Sequence, residues 1–219
     1  MKIFLDTADT ELISKYHATG LVDGVTTNPT LIRKSGRDPL KVYEELVDLG
    51  LTDISMEVGG NAIEMVEEGK KLAKLFGKNA TIKVPCTVEG LWVCRELRRN
   101  IINVNVTLIF SAAQAILAAK AGAKYVSPFV GRLNDNSFDG LALIEEINKI
   151  YTMQGIHETE ILSASIRDVA GVSGSFSRGA DIVTMPPSVF EKMYNHILTD
   201  KGLEIFNNDL ENIANANHS

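Results

Sequence analysis

The sequence predicts an α/β fold, a single-domain (β/α)8 TIM barrel with an extra C-terminal helix. Three observations predict it. Eight apolar, β-branched-rich runs recur along the 219 residues, with helical periods between them. No long linker or shift in composition divides the chain, which favours parallel strands in one domain over 1–219. No GxGxxG follows the first run, so an open doubly wound sheet is the weaker alternative.

The runs fall at 3–7, 24–28, 54–58, 81–85, 104–109, 125–130, 160–165 and 181–186. Between them, Val66, Leu72, Ala73 and Leu75-Phe76 follow Asn61 at helical spacing. Ala112-Ala113, Ile116-Leu117 and Ala119 do so after Ser111, and Leu141, Leu143-Ile144, Ile147 and Ile150-Tyr151 after Ser137. Ser111, Asp139 and Ser188 are placed to cap helix starts, and Gly122 to end a helix. The segment 171–179, rich in Gly and Ser, reads either as a lid or as a helix connection. Beyond the eighth unit, Leu203, Phe206, Leu210 and Ile213 repeat at i, i+3, i+7, i+10. That spacing predicts an additional amphipathic helix over about 201–215, whose stripe packs on its own domain or on a neighbouring subunit. The tail at 215–219 is polar.

A net charge of −6 with 45% hydrophobic residues argues for one sizeable core and against nonspecific nucleic-acid binding. Asp6 interrupts the N-terminus too early for a signal peptide, and no stretch of about 18 apolar residues predicts a membrane span. Cys86 and Cys94 form no CxxC, which argues against a disulfide framework or a zinc site. A cytoplasmic protein is the expectation.

In a barrel, catalytic groups gather at the C-terminal ends of the strands. Lys83 interrupts the apolar run Ala80-Thr81-Ile82-Lys83-Val84-Pro85. Taken alone it would be an edge-strand lysine with its head in water. Its company reverses that reading. Asp6, Asn28, Glu57, Asn105, Thr107, Ser127 with Arg132 beyond, and Ser163 and Ser165 with Arg167 beyond, all lie at or near run ends. Period-2 alternation pairs Lys83 with Thr81, Asn105 with Thr107, Ser127 with Phe129 and Ser163 with Ser165 on common faces. This set suits carbonyl chemistry. A desolvated amine adds to a ketone, a carboxylate such as Asp6 moves the hydroxyl proton, and Arg132, Arg167 and Ser165 clamp a phosphate.

Leu5-Asp6-Thr7-Ala8, Gly24-Val25-Thr26-Thr27-Asn28-Pro29, Ile82-Lys83-Val84-Pro85 and Ala123-Lys124-Tyr125-Val126-Ser127-Pro128-Phe129-Val130-Gly131-Arg132 resemble the transaldolase family. The likeness is closest to its short members, which include the fructose-6-phosphate aldolases, and it covers essentially the whole chain. It implies a Schiff base on Lys83, Asp6 as general acid/base and Thr107 beside the catalytic water. It also implies Asn28, Asn105 and Ser127 on the dihydroxyacetone unit, and Arg132, Ser165 and Arg167 on phosphate. No metal and no cofactor are implied. The aldolases of the family carry glutamine where Glu57 stands and tyrosine where Phe129 stands, and typically lack the equivalents of Ser127 and Asn105, so this chain has the transaldolase choice at all four.

The expected activity is therefore transfer of a dihydroxyacetone unit between sugar phosphates in the pentose phosphate pathway. Donors would be fructose 6-phosphate or sedoheptulose 7-phosphate, and acceptors erythrose 4-phosphate or glyceraldehyde 3-phosphate. The alternatives are an aldolase releasing free dihydroxyacetone and a non-catalytic sugar-phosphate-binding barrel. The resemblance further implies a ring-based homo-oligomer, with a decamer as one option, and no nucleic-acid or membrane partner.

Overall fold

The structure, a computed structural model, describes residues 1–216. Eight parallel strands close into a barrel in chain order. They are β1 (Lys2–Asp6), β2 (Gly24–Thr26), β3 (Ile54–Glu57), β4 (Ala80–Pro85), β5 (Asn103–Ile109), β6 (Tyr125–Pro128), β7 (Glu160–Ser163) and β8 (Ile182–Met185). Each falls on an expected run. β2 stops short because Asn28 caps a helix that begins at Pro29, and β7 because the chain turns left-handed at Ser165, φ 60°.

The helices are α1 (Thr10–His17), α2 (Pro29–Ser35), α3 (Pro39–Asp48), α4 (Ala62–Phe76), α5 (Val88–Arg99), α6 (Ala112–Lys120), α7 (Val130–Asp135), α8 (Gly140–Gln154), α9 (Val169–Ser177), α10 (Pro187–Lys192) and α11 (Ile197–Ala216). Ser111 and Asp139 cap α6 and α8 as expected, and Asn61 forms a reciprocal capping box with Glu64 on α4. Gly122 turns the chain just past α6 with φ 86°. Ser188 is not a cap. It lies inside α10, where Pro187 at the first helical position has no N–H to satisfy. The Gly- and Ser-rich segment is the body of α9.

Two apolar clusters divide the interior. The larger joins the outer faces of the strands to the helices, while Phe4, Tyr125, Leu162, Ala164 and Ile182 form a separate plug within the barrel. Gly24 gives that plug its room, since a Cβ there would come within 2.7 Å of the Phe4 ring. Beside the plug, the buried Asp53 carboxylate accepts from Thr81 Oγ1 at 2.9 Å, Lys124 Nζ at 2.7 Å and Tyr125 Oη at 2.6 Å.

α11 does not pack on its own barrel. None of its residues is buried, and Leu203, Phe206, Leu210 and Ile213 are 54–65% exposed. The end of the polar tail, 217–219, lies outside the described residues. No described helix is long and apolar enough to cross a membrane.

The Asp53 network ties β3, β4 and β6 together across the barrel. Asp53→Ala leaves a buried phenol and hydroxyl without their acceptor, and should cost about 2–3 kcal/mol in denaturant unfolding. A loss below about 0.5 kcal/mol would show that the network does not brace the barrel.

Candidate active site

Alternation along each strand brings one side chain after another to the barrel axis, and the C-terminal ends open on a cavity of about 200 Å³. All of the expected site residues except Glu57, Asn105 and Ser163 contribute to its walls. Lys83 sits in the middle of them, 6% exposed, on a strand paired on both sides with β3 and β5. It is no edge lysine. Its Nζ lies 3.0 Å from Glu57 Oε2 and donates to the Thr27 carbonyl at 3.1 Å. A buried ammonium needs such partners, because an unpaired charge at this depth is strongly unfavourable. Glu57 itself lies at the wall of two neighbouring clefts that also reach Asn28, one of which reaches Lys83.

Asp6 ends β1 and opens on the same cavity. Thr26 Oγ1 donates to its Oδ1 at 2.8 Å, and Thr184 Oγ1 stands 2.7 Å from Thr26 Oγ1. Burial raises the Asp6 carboxyl above its ordinary value of 3.8. The nearby Lys83 charge and the Thr26 bond pull the other way, and the Glu57 charge adds to the rise.

The amides have unequal freedom. Asn28 Oδ1 caps α2 by accepting from the Leu31 N–H at 3.0 Å, which leaves its NH2 as the group for a ligand. Asn105 is fully buried and committed on both sides, donating to Ser55 Oγ at 3.1 Å and accepting from Ser127 Oγ at 2.6 Å. It therefore backs Ser127, whose oxygen faces the cavity as an acceptor. Thr107 Oγ1 is the one buried side-chain polar atom without a hydrogen-bond partner among the described residues. It lines the cavity beside Lys83, just before a bulge at which Leu108 adopts φ 60°.

Arg132, Ser165 and Arg167 form a further wall of the cavity. The Arg132 guanidinium stacks over the Phe129 ring, 4.8 Å from its centroid. Gly131 lets α7 approach the β7–α9 connection, since a Cβ there would come within 1.9 Å of the Ser165 carbonyl and 2.9 Å of the Arg167 side chain. Among the described residues, no group of three or more His, Cys, Asp or Glu side chains is arranged to hold a metal ion.

Ser163 departs from expectation. It points away from the cavity and shares a hydrogen bond with Ser175 of α9 at 2.8 Å, because Leu162 of β7 and Ala164 just beyond it take the inward positions. Strand parity alone misleads here, since the left-handed turn at Ser165 breaks the alternation. Sequence reasoning also missed Thr26, Thr27, Ser55 and Thr184, which brace the charged groups. Thr184, a single hydroxyl in the apolar strand Ile182–Met185, was the available signal.

Residues 3–219 match the model of the family described as Transaldolase/Fructose-6-phosphate aldolase. A protein of Caulobacter vibrioides (strain NA1000 / CB15N), named "Probable transaldolase", is 52% identical over 210 residues, 95% of this chain and 96% of its own. Proteins of the same name from Caulobacter sp. (strain K31) and Paracoccus denitrificans (strain Pd 1222) are 53% and 52% identical, again over 95% of this chain and 96% of theirs.

The Asp6 environment has a measurable consequence. The folded protein binds the Asp6 proton more tightly than the unfolded chain does, so stability falls as pH rises from about 4 through the folded value. Asp6→Asn should therefore raise Tm at pH 7, with the gain vanishing near pH 4. An unchanged or lower Tm at pH 7 would contradict this.

Proposed function

Because the chain belongs to the transaldolase/fructose-6-phosphate aldolase family, we propose that it is a transaldolase that carries a dihydroxyacetone unit on Lys83. The observation that carries this reading is the buried Lys83 side chain held between Glu57 and the Thr27 carbonyl, in a cavity that Arg132 and Arg167 also line.

Glu57 is close enough to take the Lys83 proton, freeing the nitrogen lone pair for attack on the ketone of fructose 6-phosphate or sedoheptulose 7-phosphate. The resulting carbinolamine loses water to give an iminium. The orphan Thr107 hydroxyl and Glu57 flank that centre and suit the departing water. Asp6, whose burial makes it a stronger base than an exposed carboxylate, takes the proton of the hydroxyl that becomes the aldehyde. The C–C bond breaks as the iminium accepts the electron pair. The aldose phosphate leaves the arginine wall, and the enamine stays on Lys83. The Asn28 NH2 and the Ser127 oxygen hold the hydroxyls of the retained fragment, with Asn105 fixing Ser127 from behind. Erythrose 4-phosphate or glyceraldehyde 3-phosphate then enters, and the steps run in reverse.

The reading extends to context. Transfer between these sugars belongs to the pentose phosphate pathway in the cytoplasm. The exposed apolar stripe of α11 supports a ring-based homo-oligomer in which that helix covers a neighbour.

The rival is an aldolase that releases free dihydroxyacetone. Phe129 presents no phenol to protonate the bound enamine, so the enamine survives until an aldehyde arrives. Purified protein given fructose 6-phosphate should turn over rapidly only when erythrose 4-phosphate is added. Fast dihydroxyacetone release without acceptor would instead make it an aldolase. In the same coupled assay, Glu57→Gln with Phe129→Tyr should raise dihydroxyacetone release by about tenfold or more relative to transfer. An unmoved partition would refute the roles given to these two side chains.

A further inference from the structure

We propose that Asp135 is a positioning residue for the phosphate of the substrate, acting through Arg167; the proposal rests on reading the arginine wall as the phosphate site. Arg167 NH2 donates to Asp135 Oδ2 at 2.8 Å. That single contact leaves Nε and NH1 of the same guanidinium without a protein acceptor among the described residues. Arg167 lines the catalytic cavity and Asp135 does not. The carboxylate thus grips the fork from outside the cavity.

Two further observations favour positioning over chance. Asp135 is the last residue of α7, where backbone carbonyls already concentrate negative charge and a carboxylate is electrostatically disfavoured. Its place there is not explained by the stability of α7. The stem of Arg167 also crosses Gly131 of the same helix, where a Cβ would lie 2.9 Å from Arg167 Cγ and Nε. Glycine below and carboxylate at the tip together restrict a side chain that is otherwise 61% exposed and long enough to sample many rotamers. Arg132 is restrained differently, by the Phe129 ring, and has no carboxylate partner among the described residues. The wall therefore holds one guanidinium by stacking and the other by an ion pair. A phosphate arriving at this wall meets donors already aimed at it, and its binding loses less side-chain freedom.

The pair is solvent-exposed on both sides, so its removal should not unfold the protein. Asp135→Ala should raise KM for fructose 6-phosphate roughly three- to fivefold with kcat nearly unchanged. The calorimetric Kd for inorganic phosphate should rise by a similar factor. Asp135→Asn, which keeps an acceptor oxygen, should recover part of both losses. In an Arg167→Ala background, Asp135→Ala should have no further effect. Unchanged or tighter phosphate binding by Asp135→Ala would overturn the proposal, as would a fall in kcat with KM unmoved, or a loss that persists undiminished beside Arg167→Ala. If Arg167→Ala itself leaves the Kd for phosphate unaltered, the reading of the wall as a phosphate site fails, and the role of Asp135 with it.

Discussion

A cation enclosed within a parallel barrel sets the terms for everything around it. Lys83 is 6% exposed and lies on a strand paired on both sides. An ammonium so placed is tolerated only when nearby groups replace its hydration. Here a carboxylate and a main-chain carbonyl do so, at 3.0 and 3.1 Å. The carbonyl belongs to Thr27, just past β2, and is held by bonds from the Thr27 N–H and Oγ1 to the Ser55 carbonyl of β3. Moving β2 or β3 would therefore move the amine.

The interior is layered accordingly. The Asp53 network and the apolar plug fill the barrel beneath the site. Ser55, Asn105 and Ser127 form a hydrogen-bonded chain across β3, β5 and β6, and Thr184, Thr26 and Asp6 form another across β8, β2 and β1. The first fixes Ser127 at the cavity, and all three members of the second line it. Two non-glycine residues with positive φ, Leu108 and Ser165, lie at the rim, where β5 and β7 give way to loops. Such conformations persist where surrounding packing imposes them, and at Ser165 the close approach of Gly131 does so.

Much of this was legible from the chain. Hydrophobic periods located all eight strands because strands buried between barrel and helices must be apolar on their outer faces. Polar residues that interrupt those runs, Lys83 and Asp6 among them, lie on the cavity walls, and Glu57 meets Lys83 from an adjoining cleft. What stayed hidden depends on contacts distant in sequence. Ser163 faces outward by ordinary alternation with Leu162 and Ala164, the left-handed turn at Ser165 brings that serine alone to the cavity, and the depth of Asn105 follows from its two partners on other strands. Ser188 looked like a cap because serine often is one, yet the helix starts a residue earlier at Pro187, and the Phe190 N–H is already bonded to the Pro186 carbonyl. The stripe on α11 was readable as a helix, but one amphipathic pattern serves packing on the same barrel and packing on another equally well.

The proposed activity depends on a covalent bond between the Lys83 nitrogen and a ketose phosphate. Reduction by borohydride in the presence of fructose 6-phosphate, followed by peptide mass mapping, tests it directly. A mass increment confined to the peptide bearing Lys83, and absent from Lys83→Met, is the predicted result. Protein left unmodified under these conditions, or labelled at another lysine, would contradict the account.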